Sequence, residues 1–262
     1  MTSFWYDRRV CVLDLETTGT DVEHDRIVTA AVGYVGAFQE PDLHTLLADP
    51  GIPVPAEAAA VHGWTNERIR LEGGRDPVDV LDIVLGTIDR RADGAPVAVM
   101  NARFDLTILD RECRRYGLDP VDKHRPLHVV DPRVLDLHLH RFRKGPRKLA
   151  DLCRFYGAPV INTHAAGWDA LAAGYLAVYM AKRGTVIRRP RSVEEDRELE
   201  HLQAEWFTVK DDPARLHAAQ IHWAADQARG LIEHFNQKGQ DHDVRAEWPV
   251  IPYQPITTRA AA

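Results

Sequence analysis

Two acids two residues apart end the run Val10-Cys11-Val12-Leu13-Asp14-Leu15-Glu16-Thr17-Thr18-Gly19. The apolar residues read as a buried strand, and strand side chains alternate, so Asp14 and Glu16 project to the same side. Two carboxylates held that close oppose each other's ionisation unless a cation sits between them. Hard divalent ions such as Mg²⁺ or Mn²⁺ prefer oxygen ligands of this kind. The plainer alternative is a strand end bearing two solvated acids.

Three further residues extend the chemistry. Asp105, in Val99-Met100-Asn101-Ala102-Arg103-Phe104-Asp105, falls just beyond a short apolar strand, at the start of a helix. There it could equally be a first-turn acid complementing the helix dipole. His164 and Asp169 lie five apart in Asn162-Thr163-His164-Ala165-Ala166-Gly167-Trp168-Asp169. On a straight helix that spacing separates two side chains by well over 90°. Gly167 places His164 before the helix and Asp169 on its first turns, so a loop imidazole can approach a site that a helix-borne carboxylate also faces. Taken by itself, His164 is an ordinary surface or capping histidine.

The elements that must carry these residues follow from periodicity and turn signals. Residues 10–16, 27–35 and 43–47 read as three consecutive antiparallel strands. Short helices are expected around 56–61 and 65–71, and a longer one over 77–90 from Val80, Leu81, Val84, Leu85 and Ile88. Strand 97–100, helix 104–116, strand 128–130 and helices 131–140 and 148–156 come next. Strands followed by alternating helices and strands predict an α/β domain on a mixed five-stranded sheet. Beyond Met180 a basic block and then an acidic block read as an exposed linker and helix face. Residues 213–237 form a long amphipathic helix with Leu216, Ala219, Ile221, Trp223, Ala224, Leu231, Ile232 and Phe235 as its expected buried positions. The proline-rich stretch from Trp248 is expected to run extended over the surface.

Taken together, the acids and the histidine resemble the DEDDh, or DnaQ-like, 3′–5′ exonucleases, typified by the epsilon subunit of bacterial DNA polymerase III and by RNase T. Asp14 and Glu16 with the following Thr-Thr-Gly match the first motif, Asp105 the second, and His164 with Asp169 the third. Val61-His62-Gly63-Trp64-Thr65 is similar to a His-Gly-Ile-Thr segment of these enzymes, with Trp64 replacing the aliphatic residue. The resemblance covers residues 8–182 and leaves 183–262 as a helical extension with a proline-rich tail. It implies an RNase H-like fold and two divalent ions, Mg²⁺ or Mn²⁺. By resemblance, Asp14 bridges both ions, Glu16 and Asp169 bind the first, and Asp105 supports the second. Two such ions activate a water and stabilise the leaving 3′-oxygen. His164 is then the general base. Thr17 and Thr18 are expected to hold the terminal nucleotide through backbone amides, with His62, Asn101, and the rings of Trp64 and Phe104 completing the substrate site. Phe104 also fits as a core residue.

Bulk properties set the frame. The chain has 262 residues and a formal net charge of −6, which argues against coating nucleic acid by charge alone. Between Leu137 and Ala150 there are five Lys/Arg and no acid, a segment that either contacts phosphates or forms a solvated loop. Cys11, Cys113 and Cys153 are far apart in apolar contexts and read as buried free thiols. Neither a signal peptide nor a membrane span is expected, which makes a cytoplasmic protein the default. The implied partner is the 3′ end of a nucleic acid, with DNA favoured over RNA and a polymerase as a further partner. Gln203-Ala204-Glu205-Trp206-Phe207 reads as a helical core stripe, with a loose similarity to peptides that dock on sliding clamps as the alternative. Aspartyl-phosphate phosphatases also begin with an acid pair after a strand, but they need Asp where this chain has Glu16. A non-catalytic binding module is the remaining alternative.

Overall fold

The computed structural model describes residues 4–36, 40–120, 123, 126–141, 143–160, 167–183 and 193–254. His164 lies outside these residues. Strands β1 (Arg9–Thr17), β2 (Ile27–Gly36), β3 (Asp42–Leu47), β4 (Val97–Ala98) and β5 (Val129–Val130) form one sheet in the order β3-β2-β1-β4-β5. The β1–β2 and β2–β3 pairs are antiparallel, while β4 runs parallel to β1 and to β5. This is the mixed five-stranded arrangement expected from the apolar runs.

Among the described residues the helices are α1 (Ala56–His62), α2 (Asn66–Glu72), α3 (Pro77–Asp89), α4 (Ala102–Arg115), α5 (Pro132–Leu139), α6 (Leu149–Tyr156), α7 (Trp168–Arg183), α8 (Val193–Val209) and α9 (Pro213–Gln237). Local chemistry explains several starts. Asp76, Asp131 and Asp212 each cap a helix whose first residue is proline, since a proline there gives up an N–H that would have no partner. The core joins both sheet faces, and Val10, Val12, Leu13, Val97, Val99, Leu106, Leu109 and Leu176 are inaccessible to solvent. All three cysteines are buried free thiols.

Gly174 shows how α7 seats on the sheet. A Cβ there would meet Val12 Cγ1 at 2.4 Å and Val35 Cγ2 at 2.6 Å, so only glycine permits the approach. Asp169 precedes Gly174 by five residues, about 7.5 Å of helix rise. Asp14 lies two residues beyond Val12 on the same face of β1, about 6.8 Å along the strand. Asp169, on the first turn of the same helix, is close enough to Asp14 to raise its carboxyl pKa.

The residues beyond 192 fold back onto this sheet. Trp206 of α8 and Leu216, Gln220, Trp223, Ala224 and Ala228 of α9 are buried. This corrects the expected stripe on α9, because Ile221 and Leu231 are exposed. The buried face repeats every fourth residue from Leu216, and Ile221, five residues on, is turned about 140° away. Helix α9 also closes the sheet edge. His217 Nδ1 accepts the Val129 N–H at 3.1 Å, Gln220 Oε1 accepts the Asp131 N–H at 2.8 Å, and Gln220 Nε2 donates to Val129 O at 2.8 Å. Side chains thus take the place of a sixth strand along β5.

From Glu247 to Tyr253 the chain runs over α4 as an extended strap, as its prolines suggest. Arg103 Nε donates to Glu247 O at 2.8 Å, the Ile251 N–H donates to Thr107 Oγ1 at 3.0 Å, and Arg111 Nη2 donates to Ile251 O at 3.0 Å. The Tyr253 ring lies beneath the guanidinium groups of Arg111 and Arg114.

Candidate active site

Asp14 and Glu16 sit at the C-terminal end of β1 on one face, both half-buried. Register confirms the geometry, since they pair with Ala31 and Thr29 of β2. On the other edge, β4 is already finished. Its ladder with β1 stops at Val12–Ala98, which leaves the next amide on that side without a strand. Asp105 fills the gap. Its Oδ1 accepts the Leu15 N–H at 3.0 Å, bringing the carboxylate of α4 onto the peptide between the two strand acids.

The charge pattern shows that four acids converge. The Asp14 carboxyl is pushed well above its ordinary range, first by loss of solvent and then by Asp105, Glu16 and Asp169. Asp105, buried more deeply, is raised by desolvation and by Asp131 and Glu16, against two backbone amides that stabilise its anion. Such a cluster favours a proton or a cation. With an all-oxygen donor set, a hard divalent ion fits its chemistry. Among the described residues no three His, Cys, Asp or Glu side chains lie close enough together to hold a metal ion as they stand.

The flanking residues divide. Asn101 is exposed and immediately precedes α4 in a left-handed conformation, φ 64°, the one non-glycine positive φ among the described residues. Phe104 is half-buried and packs on the main core. His62 ends α1 as a buried neutral ring whose pKa is lowered by desolvation. Its Nδ1 accepts the Trp64 N–H at 3.1 Å, while Nε2 has no partner of good hydrogen-bond geometry. The Thr17 backbone lies close enough to oppose the lowering of that pKa. Trp64 packs on a small second core of Val28, Val54 and Ile69, with the Arg68 guanidinium 3.8 Å over its ring. One face of the indole is therefore taken.

Thr18 requires a correction. Its N–H donates to Arg26 O at 3.0 Å and its hydroxyl to Asp25 Oδ1 at 2.6 Å, so the amide expected to hold a nucleotide is committed to the β1–β2 connection. Thr17 spends its hydroxyl on Gly19 O at 2.6 Å. The stretch from Gln203 to Phe207 follows the core-stripe reading. Trp206 is buried within α8 while Ala204 and Phe207 are exposed, so these residues form one face of a packed helix and not a free docking peptide.

The basic segment is split by a buried acid. Asp136 accepts from Arg147 Nε at 2.7 Å, Arg143 Nη2 at 3.1 Å and Tyr156 Oη at 3.0 Å. Arg143 and Arg147 are thus internal counter-ions, whereas Lys144 and Lys148 remain exposed. Asp131 was not anticipated as part of the site. The Asp-Pro pair at 131–132 signals a helix cap, yet this carboxylate also caps α4, and nothing local in the sequence reveals that second role.

A mixed sheet with acids gathered at the end of its central strand defines an α/β domain of the RNase H-like class. The family model described as exonuclease, named for RNase T, matches residues 11–177. The chain belongs to this exonuclease family and is an enzyme of that kind. Curated relatives include the PolC-type DNA polymerase III of Lacticaseibacillus paracasei, 29% identical over 171 residues, and that of Listeria welshimeri, 29% identical over 176. The matches cover 65% and 67% of this chain but 11% of each polymerase, so the chain corresponds to about a tenth of those proteins. Exonuclease I from Methylocaldum szegediense shares the fold with a TM-score of 0.55 at 21% identity, over 67% of this chain and 40% of that one. Exonuclease X, solved with 5′ overhanging duplex DNA, gives 0.50 at 18% identity, over 74% of this chain and 99% of the other. Among the described residues no helix is long and apolar enough to cross a membrane.

Proposed function

We propose that this enzyme is a metal-dependent 3′–5′ exonuclease that releases nucleoside 5′-monophosphates, with DNA as its substrate. One observation carries the reading: on an exonuclease fold, loss of solvent and then three neighbouring acids push the Asp14 carboxyl well above its ordinary range, a perturbation typical of functional sites. Asp14, Glu16, Asp105 and Asp169 would hold two divalent ions, Mg²⁺ or Mn²⁺. Those ions supply activation of a water and stabilisation of the departing 3′-oxygen.

The chain's own residues perform the remaining tasks. His164 accepts the proton of the attacking water on its imidazole nitrogen. The water oxygen bonds to phosphorus, the P–O3′ bond breaks, and the departing 3′-oxygen takes a proton from solvent to become the 3′-hydroxyl of the shortened strand. Asp105 is oriented by the Leu15 amide. Asn101, His62, the open side of Trp64, Phe104 and the Thr17 backbone line the terminal nucleotide. Lys144 and Lys148 meet phosphates farther along the strand. The PolC-type relatives suggest work beside a replicative polymerase, in proofreading or repair.

The deciding experiment is one degradation panel with Mg²⁺ or Mn²⁺. It compares 5′-labelled single-stranded DNA, duplex DNA with a mismatched 3′ end, and RNA. Stepwise shortening of the DNA, abolished by EDTA and by Asp14→Ala or Asp169→Ala, is the expected result. Full activity in EDTA or in either variant would overturn it, and preference for the RNA would reassign the substrate. His164→Ala should slow turnover sharply and flatten the pH–rate profile. An unchanged profile would remove the histidine's role.

A further inference from the structure

Asp131 is almost wholly buried. Its two oxygens serve two helices at once. Oδ1 accepts the N–H groups of Asn101 at 3.1 Å and Arg133 at 2.9 Å. Oδ2 accepts the Ala102 N–H at 2.9 Å and faces the Trp248 indole Nε1 at 3.4 Å. One acid therefore caps α5 locally and α4 across thirty residues of sequence.

The α4 cap bears directly on the site. Asn101 has a left-handed backbone, a conformation that asparagine accepts more readily than other non-glycine residues. Its side chain makes no capping bond. The Asp131 carboxylate instead grips the Asn101 and Ala102 amides and so fixes the direction in which α4 leaves β4. Asp105 lies one turn onward, where it must meet the Leu15 N–H. A shift of the first turn would carry that carboxylate off the peptide between Asp14 and Glu16.

Asp131 is itself held from the C-terminal extension. Gln220 of α9 accepts its N–H at 2.8 Å and donates to Val129 O at 2.8 Å, and Trp248 covers its second oxygen. The strap then fastens α4 farther along, through Arg103, Thr107 and Arg111.

We propose that Asp131 is a positioning residue for Asp105, and that residues of the C-terminal extension, Gln220 and Trp248, lock it in place. The proposal rests on the reading of Asp105 as a metal-binding carboxylate. Residues that orient metal ligands typically change metal affinity by about 10–100-fold when altered.

The test measures Mn²⁺ binding by calorimetry, hydrolysis of single-stranded DNA and thermal unfolding on the full chain. Asp131→Asn should weaken Mn²⁺ binding about tenfold or more and slow hydrolysis in parallel. Raised Mn²⁺ should restore part of the rate. Trp248→Phe keeps the ring packing but removes the indole donor, and should shift Mn²⁺ affinity in the same direction by about threefold, as loss of one hydrogen bond does. It provides the reading if Asp131→Asn does not fold. Unchanged Mn²⁺ affinity in a folded Asp131→Asn, or in Trp248→Phe where the first variant is unfolded, overturns the proposal. Asp14→Ala is run alongside. If it too binds Mn²⁺ and cleaves normally, the metal reading fails; if it loses both while Asp131→Asn is normal, only the positioning role fails.

Discussion

Asp105 Oδ1 accepts the Leu15 N–H at 3.0 Å, joining the first turn of α4 to the peptide between Asp14 and Glu16. This bond uses an amide that the short β4 leaves open and sets a third acid beside the strand pair. It also explains why the site is electrostatically costly. The acids are brought together by backbone geometry and helix packing, and the described side chains around Asp14 add further negative charge.

That cost predicts an unusual stability effect. The Asp14 carboxyl stays protonated in the folded chain at pH values where an unfolded aspartate, with a pKa of about 3.9, has ionised. The native state then binds more protons than the unfolded one, so metal-free stability falls as pH rises from about 4 through the folded pKa. Asp14→Asn removes the penalty. In EDTA its Tm should exceed that of the natural sequence by more at pH 8 than at pH 4. Added Mn²⁺ should stabilise the natural sequence and leave the variant unchanged, and hydrolysis should be abolished. A variant destabilised equally at both pH values would contradict the account.

A second prediction concerns the anchor of the strap. Arg111 is buried and donates to both Glu23 oxygens at 2.8 and 2.7 Å, to Asp110 and to Ile251 O. It ties the connection after Glu16, helix α4 and the C-terminal segment to one guanidinium. Arg111→Ala leaves buried Asp110 to its ion pair with Arg114. Breaking a buried pair from one side costs about 3–5 kcal/mol. Chemical denaturation should show a loss near the lower end of that range, because Glu23 is partly exposed. Arg111→Lys should recover little, since an ammonium cannot form the paired bonds to Glu23.

The basic segment gives a third prediction, with a readout independent of turnover. Lys144 and Lys148 are exposed, whereas Arg143 and Arg147 are bound to Asp136. Each phosphate contact on single-stranded nucleic acid contributes about 0.7 to the slope of log affinity against log salt. If both lysines reach phosphates, replacing them with alanine should lower the slope by about 1.4, uniformly across sequences. Binding to a labelled oligonucleotide in Ca²⁺, measured by anisotropy at several salt concentrations, checks it. An unchanged slope would return the loop to the solvated role. Arg143→Ala should act differently, lowering Tm through the buried Asp136.

Much of this arrangement was legible in the sequence because it is local. The run from Val10 to Glu16 alternates at its acidic end, the helices open on Asp-Pro or close on glycine, and even the two-residue ladders of β4 and β5 follow from short apolar stretches. The acids at 14, 16, 105 and 169 could be named because their types and order are informative. Contacts between distant segments could not be read this way. Thr18 looked like a nucleotide contact until its amide met Arg26 across the connection to β2. The second cap formed by Asp131 joins β5 to α4 and depends on where two strands end. On α9 the apolar residues do not define one stripe, and burial follows Gln220, a polar residue whose role is to complete the edge of β5. His164 was read from its spacing to Asp169 and lies outside the described residues.

The same sheet edge supplies a pH-dependent prediction away from the carboxylates. His217 sits half-buried between His128 and Trp248, and its Nδ1 must be unprotonated to accept the Val129 N–H. Desolvation first, and then His128, lower its pKa to about 4. An unfolded histidine takes up its proton near 6.5. The stabilising contribution is therefore complete above about 6.5 and is lost as pH falls from there toward 4. His217→Asn can keep an acceptor near the Nδ1 position but has no proton to take up. Its Tm should fall less between pH 7 and pH 4.5 than that of the natural sequence, even if it is lower at pH 7. An identical decline in both proteins would show that the acid sensitivity of the fold arises elsewhere. Because α9 holds β5, and Asp131 follows β5, the same titration should loosen the α4 cap. Amide exchange at Val129, Asp131 and Ala102 should accelerate together as pH drops through this window, after correction for intrinsic rates, and the asparagine variant should abolish that joint response.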